Sequence, residues 1–144
     1  MMRLTTVITI ALALLVGGCA QRYRPIENID RAMPAGVERL PLDRTRDVII
    51  AAGKQFDWSM TPIAPGHLEA TERTEKFSAT VDIYYTPVRL QILLKSSVNL
   101  FQTATTIHAH YNLWVRNLEA AIISNLTFAA SAPPPTPPPV PLKR

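Results

Sequence analysis

The chain is short of the groups that many enzymes and small secreted domains rely on. It holds a single cysteine, Cys19, in 144 residues. That excludes an internal disulfide and any zinc site built on several thiolates. Its five glycines include no Gly-rich loop of the kind that cradles a phosphate. Basic residues outnumber acidic ones by only 15 to 11. They form no block or stripe, so nucleic acid is not an expected partner. No apolar run reaches the roughly 20 residues of a membrane-spanning helix. Ser, His and Asp all occur, but in no motif that orients a nucleophile. The chain therefore reads as a non-enzyme, with no catalytic residues, no metal and no cofactor.

What is present is unevenly placed. Seven of the thirteen prolines fall in the last twelve residues. Leu4 to Val16 form the longest apolar stretch. As a helix it would span only about 20 Å, against a hydrocarbon core of roughly 30 Å. Arg3 before it and small residues after it fit a secretory signal peptide over residues 1–18. Val16-Gly17-Gly18-Cys19 resembles a bacterial lipobox. The resemblance implies cleavage before Cys19, a thioether-linked diacylglycerol on its sulfur and, usually, a third acyl chain on the new amino terminus. Stable anchoring needs two or more chains, and this supplies them. The alternative is an ordinary signal peptide with an incidental cysteine. A free exposed thiol in an oxidising compartment argues against that. Ala20 after the cysteine, rather than aspartate, leans towards the outer membrane, with the protein facing the periplasm.

Residues 19–41 are broken up by Pro25, Pro34, Gly36 and Pro41 and read as a lipidated tether holding the domain off the bilayer. Tyr23, Ile26, Ile29 and Val37 could still dock on the domain. From Asp43, a plausible N-cap, the positions of Val48, Ile49, Ala52 and Phe56 predict an amphipathic helix. Gly53 within it could permit close contact with a sheet. Four strand-like segments follow. Trp58 and Met60 share a side of the first, which ends near Pro62. Pro65-Gly66 suits a type II turn. Leu68 and Ala70 mark the second strand. Phe77, Ala79, Val81, Ile83 and Tyr85 alternate cleanly in the third, and Val88, Leu90, Ile92 and Leu94 in the fourth. Such period-two alternation marks an antiparallel sheet with one buried and one wet face. Residues 96–106 read as a polar connection. Ile107, Tyr111, Trp114, Leu118, Ala121, Ile122 and Leu126 then predict a long helix, with Thr106 as its cap. The expected fold is α+β and two-layered: helix, four-stranded antiparallel meander, long helix, with both helices on one sheet face. The domain spans 42–127. Residues 128–144 form a Pro-rich disordered tail, whose stretch 132–144 is expected in extended polyproline II form, as a solvated spacer or as a ligand for a grooved partner.

Few residues invite a functional role. His108 and His110 would chelate together in a strand. On the predicted helix they diverge by about 200°, so no metal site is expected. His67, Glu69 and Glu72 read as surface charge pairing. Tyr84, Arg89 and Leu93 fall on the wet sheet face and make a possible partner surface.

The helix carries a further pattern. Ile107, His108, Tyr111, Asn112, Trp114, Val115, Asn117 and Leu118, after Lys95-Ser-Ser-Val-Asn-Leu, fit S-x-N-L…I-H-x-x-Y-N-x-W-V-x-N-L. This resembles a family of small, uncharacterised proteobacterial lipoproteins. Upstream likenesses extend it to Trp58, Pro65 to Leu68 and Val81 to Tyr85. The resemblance implies a periplasm-facing lipoprotein and supplies no activity. It directs interest to His108, Tyr111, Asn112 and Asn117 as a structural or ligand-binding polar cluster, the first reading being a bridge to the loop at Ser97 and Asn99. The expected function is a non-enzymatic interaction module with an envelope protein as partner. The alternative is a periplasmic binder of a small molecule or peptidoglycan fragment, in a pocket near His108, Tyr111 and Tyr85. A third reading, an inhibitor of a hydrolase, would use residues 96–106.

Overall fold

The computed structural model describes residues 22–133. The expected leader 1–18, Cys19 and residues 134–144 of the expected tail lie outside the described residues, while residues 128–131, expected in that tail, continue the final helix. In chain order the elements are β1 (Tyr23–Pro25), β2 (Ile29–Ala32), a 3-10 turn (Val37–Arg39), α1 (Leu42–Lys54), β3 (Ser59–Ala64), β4 (His67–Arg73), β5 (Ser78–Tyr85), β6 (Arg89–Val98), β7 (Thr106–His108) and α2 (Ala109–Ser131). The fold is α+β.

Alternation sets its frame. Leu68 and Ala70 of β4, Ala79, Val81, Ile83 and Tyr85 of β5, and Leu90 and Ile92 of β6 are all buried. They share one core with Val48, Ile49 and Ala52 of α1 and Tyr111, Val115, Leu118, Ile122 and Leu126 of α2. A fully buried side chain such as Ile83 contributes about 1.5–3 kcal/mol by leaving water. Hairpins join β3 to β4, β4 to β5 and β5 to β6, all antiparallel. Gly66 turns the first hairpin at φ 78, which only glycine adopts freely. Pro62 lacks an N–H and sits on β3, an edge strand where none is required. At Gly53 of α1 a Cβ would lie 2.5 Å from Met60 Sδ. The glycine leaves room for the Met60 thioether of β3 against the helix.

The sheet differs from the expected four strands. It has five, in the order β2-β6-β5-β4-β3, and a second, two-stranded sheet pairs β1 with β7. The added strands come from the segment read as a tether. Residues 22–41 are folded onto the domain, Ile29 pairing with Ile92 and Tyr23 with His108. Val37 is fully buried. β2 reads Ile-Asp-Arg-Ala, and its two charged residues hide its strand character.

Smaller differences have local causes. α1 begins at Leu42 behind Pro41, with no side-chain cap from Asp43. Phe56 lies beyond the end of α1 and is exposed, as is Val88 in the β5–β6 hairpin. β6 runs on to Val98 through a bulge. Thr80 faces Ser96 while Val81 faces Leu94, leaving Lys95 as the extra residue. The long helix starts at Ala109, because Ile107 is committed to β7 opposite Arg24. Its cap is His108, not Thr106.

Candidate functional site

The residues singled out at the start of α2 are not equivalent. His108 closes β7 with extended backbone, φ −58 and ψ 137, and its Nδ1 accepts a hydrogen bond from the His110 backbone N–H at 3.2 Å. Because His108 precedes the helix, the 200° divergence does not apply, and the two imidazoles lie 4.6 Å apart. Burial lowers the His108 pKa, and neighbouring His110 and Arg22 lower it further. Among the described residues no group of three metal-ligating side chains comes together.

Tyr111 is fully inside the core, and its hydroxyl has no hydrogen-bond partner among the described residues. Burial raises the phenol pKa. Tyr85 is buried too. The pocket expected near His108, Tyr111 and Tyr85 is therefore occupied by packed side chains. Trp114, expected in the apolar stripe, is only half-buried. Val115 takes the core position instead. The rest of the expected stripe, Tyr111, Leu118, Ala121, Ile122 and Leu126, is buried.

Asn112 is a polar side chain in the buried set, 7% exposed. Its amide nitrogen donates to the Pro25 carbonyl at 2.9 Å, and its Oδ1 accepts from the Glu27 backbone N–H at 3.2 Å. A carboxamide carries both a donor and an acceptor, so one side chain satisfies two backbone groups where the chain leaves β1 for the connection to β2. The bridge expected towards Ser97 and Asn99 is thus made to the β1–β2 connection instead. Ser97 bonds Gln102, and Asn99 donates to the Lys76 carbonyl. Asn117 is half-buried one turn further on.

Three further links fasten the same segment, and none was visible in the sequence. Arg116 donates from Nε to both carboxylate oxygens of Glu27 at 2.9 and 2.7 Å. Arg31 meets Glu119 at 2.6 Å, and Asn28 Oδ1 accepts from the Leu94 backbone N–H at 3.0 Å. Arg24, Pro25, Ile26, Glu27, Asn112 and Arg116 border an open cleft of about 520 Å³. The only sequence signal was a polar Asn in an apolar stripe, and its partners lie more than eighty residues away.

The wet sheet face holds Tyr84, Arg89 and Leu93 as expected, but within a network of pairs. Arg89 clamps both oxygens of Asp30, and that contact lowers the Asp30 pKa. His67 Nε2 lies 2.7 Å from Asp82 and its ring stacks on Tyr84, centroids 4.3 Å apart. Lys95 reaches Glu69 at 2.6 Å. Tyr84 remains 39% exposed, and Leu93 is half-buried.

One carboxyl stands apart. Glu72 of β4 is partly buried, and burial first, then the charge of Asp57, pushes its pKa up to about 7. It faces no described basic partner within ion-pair distance.

No family model, curated protein or solved structure matches this chain.

Proposed function

We propose that this chain is a non-enzymatic lipoprotein, held to a bacterial membrane through acylated Cys19 and serving as a protein-interaction module in the cell envelope. The lipobox-like Val16 to Cys19 and the likeness of the α2 residues to proteobacterial lipoproteins support the anchor. Ala20 favours the outer membrane, with the domain in the periplasm. The observation that carries the interaction reading is a filled interior beneath an open sheet face. Both helices contribute to the core on the apolar side. On the other side Tyr84 and Leu93 lie among paired charges, with Tyr84 exposed. In this reading the meander of β3 to β6 and the helices on its apolar face form a two-layer support, and the wet face meets the partner.

In-cell crosslinking tests this, followed by affinity recovery from detergent-solubilised envelopes. The expected result is a discrete protein partner whose crosslinks map to the wet face and weaken in Tyr84→Ala. Recovery of the protein alone, where a known envelope complex is captured in parallel, would overturn the reading. The alternative, a periplasmic binder of a small molecule or peptidoglycan fragment, keeps one physical site, the charged cleft beside Asn112. Titration with muropeptides, followed by NMR at Asn112 and Arg116, discriminates the two.

A further inference from the structure

Six rings form a continuous chain at one end of the molecule. Tyr23 of β1 lies edge-on to Phe101 at 6.1 Å and to His108 at 6.3 Å. Phe77, just before β5, stacks on His108 and meets His110 edge-on, both at 5.8 Å. His110 stacks with Trp114 at 6.3 Å. The group is open to solvent: Phe101 is 64% exposed and Tyr23 44%. Phe101 also holds a left-handed backbone at φ 50, a conformation aromatic residues rarely adopt. The core does not ask for this ring, because Leu100 beside it is the residue that is buried. Cations flank the rings. Arg22 and Arg24 bracket Tyr23, Lys76 precedes Phe77, and all three are exposed. Glu75 is the acidic residue next to Lys76.

The covalent chain fixes where this patch can be. Cys19 is four residues before Tyr23, and four extended residues span at most about 14 Å. Tyr23 is not free to drift, since it pairs with His108 and the Arg22 carbonyl accepts from the Ala109 N–H at 2.9 Å. A tether of twenty residues would let the domain stand off a bilayer. The folded segment from residue 22 leaves no such slack.

We infer that the rings around Tyr23 and Phe101 are a membrane-contact surface, seated at headgroup level in the leaflet that holds Cys19, with Arg22 and Arg24 against lipid phosphate. This rests on the lipoprotein reading above. Aromatic side chains favour the interface, where a ring is half in apolar surroundings and its polar edge stays wet. Lysine and arginine near an anionic surface add attraction. Among the described residues no helix is long and apolar enough to cross a membrane. The contact is therefore peripheral, a second hold beside the acyl chains.

The test uses the full-length protein, processed and acylated in cells, in vesicles of phosphatidylethanolamine and phosphatidylglycerol. Mass spectrometry of the amino-terminal peptide first reports whether Cys19 carries lipid. Cys19 is the only native cysteine, so once acylated it leaves an introduced thiol as the sole labelling site. A fluorophore at Val98→Cys reports the ring end, since Val98 pairs with Ser78 beside Phe77. One at Val88→Cys reports the β5–β6 hairpin, roughly 30 Å away along the strands. Both positions are exposed. Lipid carrying a nitroxide near the headgroup should quench the Val98→Cys label about threefold more than the Val88→Cys label. Adding Phe101→Asn, a residue that accepts the left-handed backbone, should remove most of that difference without moving the melting temperature. Equal quenching at both positions on acylated protein would overturn the inference and leave the lipoprotein reading standing. Absence of lipid on Cys19 would overturn both.

Discussion

The meander and the amino-terminal segment are held by opposite means. Between Ser59 and Val98 each strand pairs with its sequence neighbour, and the side chains that matter are apolar and alternate. Between Arg22 and Leu40 the chain pairs with β6 and β7 and lies against α2; it buries Ile29 and Val37, and polar groups clasp the rest: Asn112, Arg116, Glu119 and Arg89 each hold a group there. Apolar burial is cooperative and non-directional, so its loss is felt everywhere. Polar clasps are directional, so their loss is felt where they point.

The largest expected effect belongs to the meander. Ile83→Ala should lower global stability by about 2–5 kcal/mol. Chemical denaturation measures it, and a loss under about 1 kcal/mol would break the contrast. Asn112→Ala comes next, at about 1–3 kcal/mol, because it strands the Pro25 carbonyl and the Glu27 amide. Here the pattern matters more than the size. Hydrogen exchange should quicken at Glu27 and along β2 while amides of β4 and β5 stay protected. Uniform loss of protection would mean the segment is part of one cooperative unit.

Glu72 sharpens the comparison through pH. Its folded pKa, about 7, exceeds the ordinary 4.5. The folded state therefore binds the proton more tightly than the unfolded state. Stability falls as pH rises from about 4.5 to about 7, and the loss persists above that. Glu72→Gln should match the wild type at pH 4 and melt higher at pH 8. The gain should be under about 1 kcal/mol, since water reaches the carboxyl. Parallel pH curves for the two proteins would remove Glu72 from the account. Tyr111→Phe is the smallest effect and a control for its neighbour. The hydroxyl is buried without a partner, so its removal should leave the melting temperature unchanged or slightly higher. A fall of more than about 1 kcal/mol would show that the hydroxyl is bonded.

The same division explains what the sequence made legible. Strands β4, β5 and most of β6 announce themselves, because Leu68 to Leu94 alternate and Pro65-Gly66 marks a turn. The core of α1 is legible for the same reason, through Val48, Ile49 and Ala52. β2 is not, because Asp30 and Arg31 look like loop residues until Arg89 and Glu119 are placed beside them from far along the chain. Ile107 fits a helical period as well as a strand, and that ambiguity shifts the cap from His108 to Thr106. Trp114 and Val115 are adjacent and both apolar, so spacing alone does not say which of them enters the core. Asn112 is legible as a polar residue that the apolar stripe does not explain. Its partners were two backbone groups, which no side-chain pattern can reveal.

The antiparallel pairing of β2 with β6, and of β1 with β7, sets a timetable. Residues 22–32 leave a ribosome or a translocation pore early, yet the last of their partners, Arg116 and Glu119, follow almost ninety residues later. The meander can zip up hairpin by hairpin as it emerges, each closure spanning a short loop. β2 must wait for β6 and β1 for β7, and their side-chain clasps wait longer still, for the final helix. The return of the chain's beginning to its end is thus the last closure that the order of synthesis allows, and the one with the longest loop.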